Sequence, residues 1–184
     1  MKTKVLSIII IALFSIGNFN AQTLKVDVLK SKLTWQGIAD IGGHNGTIAI
    51  KEGFIEIKKG KIIGGEIMLD MKNISIIDAE DKEQEKSVLH EITDAKFFNV
   101  VAFPTAKFKI TSYTNDLLVG DLTLVGITKS IEFKTTTTKI GKKLIVETVK
   151  FTVDLQNWGL KFSRWFGGNK LDNALTIQVH IETL

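Results

Sequence analysis

The chain has 184 residues, with 24 Lys and Arg against 20 Asp and Glu, no cysteine and one proline. A formal net charge of +4, carried by scattered rather than clustered basic residues, gives no electrostatic footprint for nucleic acid. The missing cysteines exclude disulfides, thiolate metal sites and cysteine catalysis.

The N-terminus is expected to lie outside the fold. Met1-Lys2-Thr3-Lys4 is a basic head, Val5 to Gly17 is apolar apart from Ser7 and Ser15, and Asn18 to Ala21 is a short polar exit. That is the layout of a secretory signal peptide, with cleavage expected between Ala21 and Gln22, although Phe19 is bulkier than usual three residues before a cut. The apolar stretch, about 13 residues, falls short of the roughly 20 needed to span a bilayer. No cysteine follows it to carry a lipid. Residues 1–21 therefore read as a signal peptide and 22–184 as one domain, exported to the periplasm or beyond. Without Lys2 and Lys4 the mature part carries 22 basic against 20 acidic side chains.

Short strands recur along the mature part. The alternation of apolar and polar residues predicts strands over Lys32–Ala39, Thr47–Ile50, Phe54–Lys58 and Gly65–Lys72. A second series is predicted over Ala106–Thr111, Asp116–Leu124, Ser130–Thr138, Lys143–Asp154 and Ala174–Glu182. Turn signals separate them, among them Gly42-Gly43, Lys59-Gly60-Lys61, Thr114-Asn115-Asp116 and Ile140-Gly141-Lys142. No linker-like run and no repeat interrupts the series. Short, evenly spaced strands predict an all-β sandwich or barrel rather than βαβ units.

One segment departs from the period of two. Asp78 to Ala95 opens with Asp78, Glu80, Asp81, Glu83 and Glu85, then places Val88, Leu89, Ile92 and Ala95 at helical spacing. Early acids suit the helix dipole and the apolar stripe supplies a docking face, so one surface helix is predicted. Phe97-Phe98-Asn99-Val100 follows, and Pro104 forces an extended entry into the next strand.

Several sets of residues share one strand face: Leu33 and Trp35; Ile48 and Ile50; Ile67, Leu69 and Met71. Further sets are Ala106, Phe108 and Ile110; Phe151, Val153 and Leu155; and Leu175, Ile177, Val179 and Ile181. Opposite them stand Thr34, Gln36, Lys107, Lys109, Thr176, Gln178, His180 and Glu182. An eight-stranded barrel with that inner face is either filled by its own side chains or roomy enough for one small ligand.

No catalytic constellation stands out. His180 alternates outward and His90 lies beside Leu89 on the predicted helix, so both read as surface residues. His44, in a glycine-rich loop, either meets a ligand head group or ties the loop down. Asp70, Asp121 and Asp154 lie in or beside strands, where a carboxylate pair for acid–base work competes with ordinary strand-end hydrogen bonding. No metal-ligand spacing, Gly-x-Ser-x-Gly or phosphate loop is present. The glycines at 42–46 and 64–65 read as turns or bulges. Trp158, Phe162, Trp165 and Phe166, with Lys161 and Arg164, read either as aromatics and cations at a barrel mouth that clamp an amphiphile or touch a membrane surface, or as a hydrophobic plug under a long loop.

Five stretches together resemble one known family. They are Leu33-Thr34-Trp35 with Gly43-His44-Asn45-Gly46; Gly65-Glu66-Ile67-Met68-Leu69-Asp70-Met71; and Asp94 to Val100 with Phe103-Pro104-Thr105-Ala106-Lys107-Phe108. The others are Val119 to Lys129, which contains Gly120-Asp121-Leu122-Thr123, and Asp154-Leu155-Gln156-Asn157-Trp158-Gly159. In this order, over the whole mature part, they resemble the YceI-like family of exported, lipocalin-like proteins. The resemblance implies an eight-stranded antiparallel lipocalin-like barrel with one surface α-helix beside it. It also implies a deep apolar pore that holds a long-chain amphiphile, such as a polyisoprenoid, an isoprenoid quinone or a fatty-acid-like lipid, in the bacterial periplasm. His44 matches the family's histidine. Asn99 stands where an acid is common, and Gln156-Asn157-Trp158 departs from the usual run near one barrel end, where a head group would be met.

The expected ligand-binding residues are Trp35, His44, Ile50, Leu69, Met71, Phe108, Phe151, Leu155, Trp158 and Trp165. No metal or cofactor is expected, and the mechanism read here is sequestration rather than catalysis. An enzyme acting on a lipid in the pore, a packed barrel without ligand and an outer-membrane barrel are the competing readings. The last would need lipid-facing apolar residues where Lys107 and Lys109 stand.

Overall fold

The computed structural model of the protein describes residues 21–39, 43–160 and 171–184, and the side chains of residues 38, 39, 171 and 172 are not described. The signal-peptide expectation for residues 1–21 lies almost wholly outside these segments. Ten strands and one α-helix follow in chain order: β1 Gln22–Lys25, β2 Lys32–Ala39, β3 Asn45–Lys58, β4 Lys61–Ile76, α1 Lys82–Thr93, β5 Thr105–Thr114, β6 Leu117–Leu124, β7 Ile127–Ile140, β8 Lys143–Thr148, β9 Phe151–Asp154 and β10 Leu171–Glu182. A short 3-10 helix spans Leu155–Trp158.

All pairings are antiparallel, and the β3–β4 ladder closes the sheet into a ring of eight strands in the order β3, β2, β10, β8, β7, β6, β5, β4. The remaining two strands lengthen the wall. β1 pairs with the second half of β3 (Leu24 opposite Ile55), where β2 no longer reaches. β9 pairs with the first half of β10 (Ile177 opposite Phe151), and β8 with its second half (Ile181 opposite Val146). The expected barrel is therefore present, with differences in detail. Thr47–Ile50 and Phe54–Lys58 are one continuous strand, β3, and Lys143–Asp154 divides at Val149-Lys150 into β8 and β9. β1 had no predicted counterpart, because four residues are too few to show a period.

Hairpin chemistry sets the register on the side of the barrel away from α1. Lys59 (φ 51°) with Gly60 (φ 77°), and Asn115 (φ 52°) with Asp116 (φ 62°), form two-residue loops between Lys58↔Lys61 and Thr114↔Leu117. Two successive positive φ values match the right-handed twist of the strands they join. Leu124↔Ile127 is closed in the same way by Val125 (φ 44°) and Gly126 (φ 77°) at the α1 end.

Register shifts on β3 and β4 follow Ile48, Ile50 and Glu56. Such bulges bend a strand and raise its local twist, as a small closed barrel requires. At the first shift Met71 turns inward to 2% exposure, while its N–H donates to the Pro104 carbonyl at 3.0 Å. Gly46 is neither a turn nor a bulge. It lies in β3 opposite Trp35 and Ile76, and a Cβ there would collide with the Ser75 carbonyl oxygen of β4.

Helix α1 starts at the Asp81 N-cap, whose side chain accepts from the Gln84 N–H at 2.8 Å; Gln84 Oε1 accepts in turn from the Glu80 N–H. Val88 and Ile92 are buried and α1 packs on β4. Ala95 is exposed because the helix ends at Thr93, so the expected stripe is one residue shorter than its periodicity suggests. At the opposite end Glu182 accepts from Lys143 at 2.7 Å and Lys30 at 3.4 Å. The Lys143 ammonium holds the Glu182 carboxyl below its usual range, and the same bond raises Lys143.

Two glycine substitutions separate steric from conformational cost. Gly46→Ala is expected to cost about 3 kcal/mol or more, since the rigid Ser75 backbone must move. Gly60→Ala, with nothing near its added Cβ, is expected to cost only the left-handed penalty of about 1–2 kcal/mol. Urea denaturation checks both; equal losses would contradict the packing of Gly46.

Candidate functional site

The inner faces of the strands enclose one apolar cavity of about 120 Å³, counted as room for the centres of water-sized spheres. On β10 its wall is Leu175, Ile177, Val179 and Ile181. Six residue steps at about 3.3 Å each give a run of roughly 20 Å along that strand. Leu155 and Phe98 reach the cavity from the α1 end, and Ile62 and Leu118 from the other. Among the described residues Thr148 is the one lining residue without an apolar or aromatic side chain, and no Asp, Glu, Lys, Arg or His of them lines the cavity. Its Oγ1 accepts from the Val179 N–H at 2.8 Å.

Aromatic rings gather inside. Phe133 of β7 stacks on Phe151 of β9 with centroids 4.3 Å apart and tilts against Phe108 of β5 at 5.4 Å. Gly120 makes room for Phe108, since a Cβ there would overlap the end of that ring. The Trp35 ring lies over its own backbone neighbours: an added Cβ at Gly46 would stand 3.0 Å from Cζ2 and one at Gly37 would stand 4.0 Å from Cζ3. Trp35 is 8% exposed, and its Nε1 is buried with no hydrogen-bond partner among the described residues.

Of the residues expected from the sequence, Trp35, Leu69, Met71, Phe108, Phe151 and Leu155 line this cavity. Ile50 and Trp158 are buried without lining it. Trp158 instead pins the 3-10 helix to the wall, its Nε1 donating to the Leu122 carbonyl at 3.1 Å. His44 is held outside the cavity in the loop before β3. Its Nδ1 lies 3.3 Å from Asp78, whose other oxygen accepts from the Asn45 backbone and side chain at 3.0 and 2.8 Å. Asp78 thereby ties this loop to the segment leading into α1. Trp165, with Lys161, Phe162, Arg164 and Phe166, lies outside the described residues.

The carboxylates singled out earlier face away from the cavity or serve the backbone. Asp121 pairs across the sheet with Lys109 and Ser130, Asp70 accepts from the Lys72 N–H, and Asp154 caps the 3-10 helix through the Gln156 N–H. His90 is exposed, and His180 meets Glu147 at 3.0 Å on the outer face. Among the described residues no three His, Asp or Glu side chains converge as metal ligands.

Two aromatic contributors to the interior, Phe133 and Phe98, were not among the expected binding residues. Phe133 alternates with Ile131 and Thr135 on β7, a signal that was present but diluted by the threonine run Thr135–Thr138. Phe98 reaches inward from an irregular segment with no period to betray it; its ring meets Phe97 edge-on at 4.4 Å.

A family model described as the YceI-like domain matches residues 24–183. The crystal structure of BcnA from Burkholderia cenocepacia superposes with a TM-score of 0.68 at 15% identity, covering 86% of this chain and 99% of that one. The Campylobacter jejuni YCEI protein covers 98% of this chain and 90% of its own at 10% identity, with a TM-score of 0.48. No curated protein matches the chain.

Phe133→Ala is expected to remove the shared partner of Phe108 and Phe151 and to cost about 3–5 kcal/mol, read from the denaturation midpoint. A loss under about 1 kcal/mol would mean that the rings do not form a packed belt.

Proposed function

The chain belongs to the YceI-like domain family, whose barrels bind hydrophobic ligands, and we propose that it sequesters or carries one long-chain amphiphile with its tail inside the barrel. The carrying observation is the cavity wall itself, apolar but for Thr148 and running most of the length of the strands. The tail class is a polyisoprenoid, an isoprenoid quinone or a fatty-acid-like lipid.

Affinity for such a tail needs no directed contact. At about 0.8 kcal/mol per buried methylene, ten methylenes supply roughly 8 kcal/mol, the scale of a micromolar complex. The empty cavity approaches the size of one that takes a single benzene, about 150 Å³. A long tail therefore enters by rotation of the ring side chains of the aromatic belt, Phe108, Phe133 and Phe151.

No titratable side chain among the described residues lines the cavity, so the role proposed is binding and not acid–base chemistry on the tail. The outer face supports a barrel that stands in water, because Lys107, Lys109 and Lys134 alternate with the inward residues Phe108 and Phe133 on their strands. A lipid-embedded barrel has the opposite arrangement. The basic and apolar N-terminus supports export to the periplasm or the cell exterior, with residues 1–21 as signal peptide and 22–184 as the binding domain. Transient contact with a membrane surface would serve loading.

Titration with cis-parinaric acid tests the reading. Fluorescence is expected to saturate near one molecule per chain, with dissociation in the micromolar range or tighter. Ala106→Phe, which fills part of the cavity from its 2% exposed position, is expected to weaken uptake at least tenfold while the protein stays folded. No uptake by the native barrel would overturn the proposal.

A further inference from the structure

We infer that the Trp35 indole N–H is the polar anchor of the barrel interior, and that the preferred ligand carries an uncharged acceptor oxygen of carbonyl type within the apolar cavity as well as a tail. The inference rests on the binding role proposed above and adds the chemical class of the ligand. Its observation is the one buried side-chain donor or acceptor left without a partner among the described residues, Trp35 Nε1, on a residue that lines the cavity.

A buried N–H without a partner costs roughly 1–3 kcal/mol, so such donors are usually matched. Nothing among the described residues of the wall matches this one. The other polar side chain there, Thr148, is not within hydrogen-bond distance of it, and the backbone at Trp35 is paired on both sides, with Ile177 of β10 and Gly46 of β3. An internal water is a poor substitute, because it needs two to four polar partners and the remaining lining residues are hydrocarbon or phenyl. Nor can the ring turn freely toward solvent, since it is 8% exposed and seated over Gly37 and Gly46.

The same surroundings select among acceptors. A carboxylate or phosphate would be an unpaired charge, because no Lys, Arg or His among the described residues lines the cavity. A hydroxyl would accept from Nε1 but leave its own proton unmatched. A ketone, quinone, ester or amide carbonyl takes the indole proton, and a ketone, quinone or ester adds no donor of its own. Trp158 cannot share this role, since its indole N–H is committed to Leu122.

Two probes of equal shape test the assignment: undecan-2-one, and 2-methylundec-1-ene, in which C=CH2 replaces C=O. Both are titrated into wild-type protein and Trp35→Phe, with proton–nitrogen correlation spectra of the three tryptophan indoles recorded in parallel. Trp35→Phe is expected to weaken the ketone by about tenfold, the scale of one hydrogen bond in a dry site, and the alkene by less than twofold. In the wild type, which needs no substitution to fold, the ketone is expected to move the Trp35 indole proton downfield and the alkene to leave it in place. Equal losses for both probes, or an unmoved Trp35 signal with ketone bound, would overturn the anchor while leaving the binding role intact. Failure of both probes to bind wild type would overturn the binding role and this inference with it.

Discussion

Closure of the sheet through the β3–β4 ladder is the constraint on which the rest of the molecule depends. Once Gly46 to Lys58 pair with Lys61 to Ile76, each strand of the ring is paired with a neighbour on both sides over part of its length, and the backbone polar groups there are spent on one another. The interior is then defined by side chains alone, and alternation delivers an apolar set to it. The bulges that bend β3 and β4 and the glycine that lets them approach at Ser75 are conditions of that closure. So are the hairpin loops, whose positive φ angles match the twist of the strands.

A closed apolar interior has two outcomes, a filled core or a binding site, and packing decides between them. Large rings occupy the middle of this barrel, yet they do so by lying over glycines: Trp35 over Gly37 and Gly46, Phe108 over Gly120. Rings that lie flat over glycine backbone leave space on their other side. Specificity cannot come from the tail, because the hydrophobic effect is non-directional. It must come from the few polar atoms that the wall presents, which is why the unmatched Trp35 N–H carries more information about the ligand than the surrounding hydrocarbon.

Much of this was legible before the fold was known. Leu175 to Ile181 alternates without a fault, and all four inward residues line the cavity; so do Trp35, Leu69, Met71, Phe108, Phe151 and Leu155. What could not be read has physical causes. A bulge shifts register without changing composition, so β3 looked like two strands. Phe98 acts through tertiary placement and not periodicity. Trp158 and Trp35 are the same residue type at two buried positions, and only the fold shows that one N–H is paired while the other has no partner among the described residues. His44 illustrates the converse: its loop position drew attention, but Asp78 holds it at the barrel's end.

The most direct test is native mass spectrometry of the protein released without detergent from the cells that make it, followed by solvent extraction of the same sample. The account predicts the mass of the processed chain plus one long-chain, carbonyl-bearing amphiphile, lost on extraction and recovered in the organic phase. A bare polypeptide mass with no lipid in the extract, from a barrel that also refuses added amphiphile, would contradict it and leave a core that is merely full.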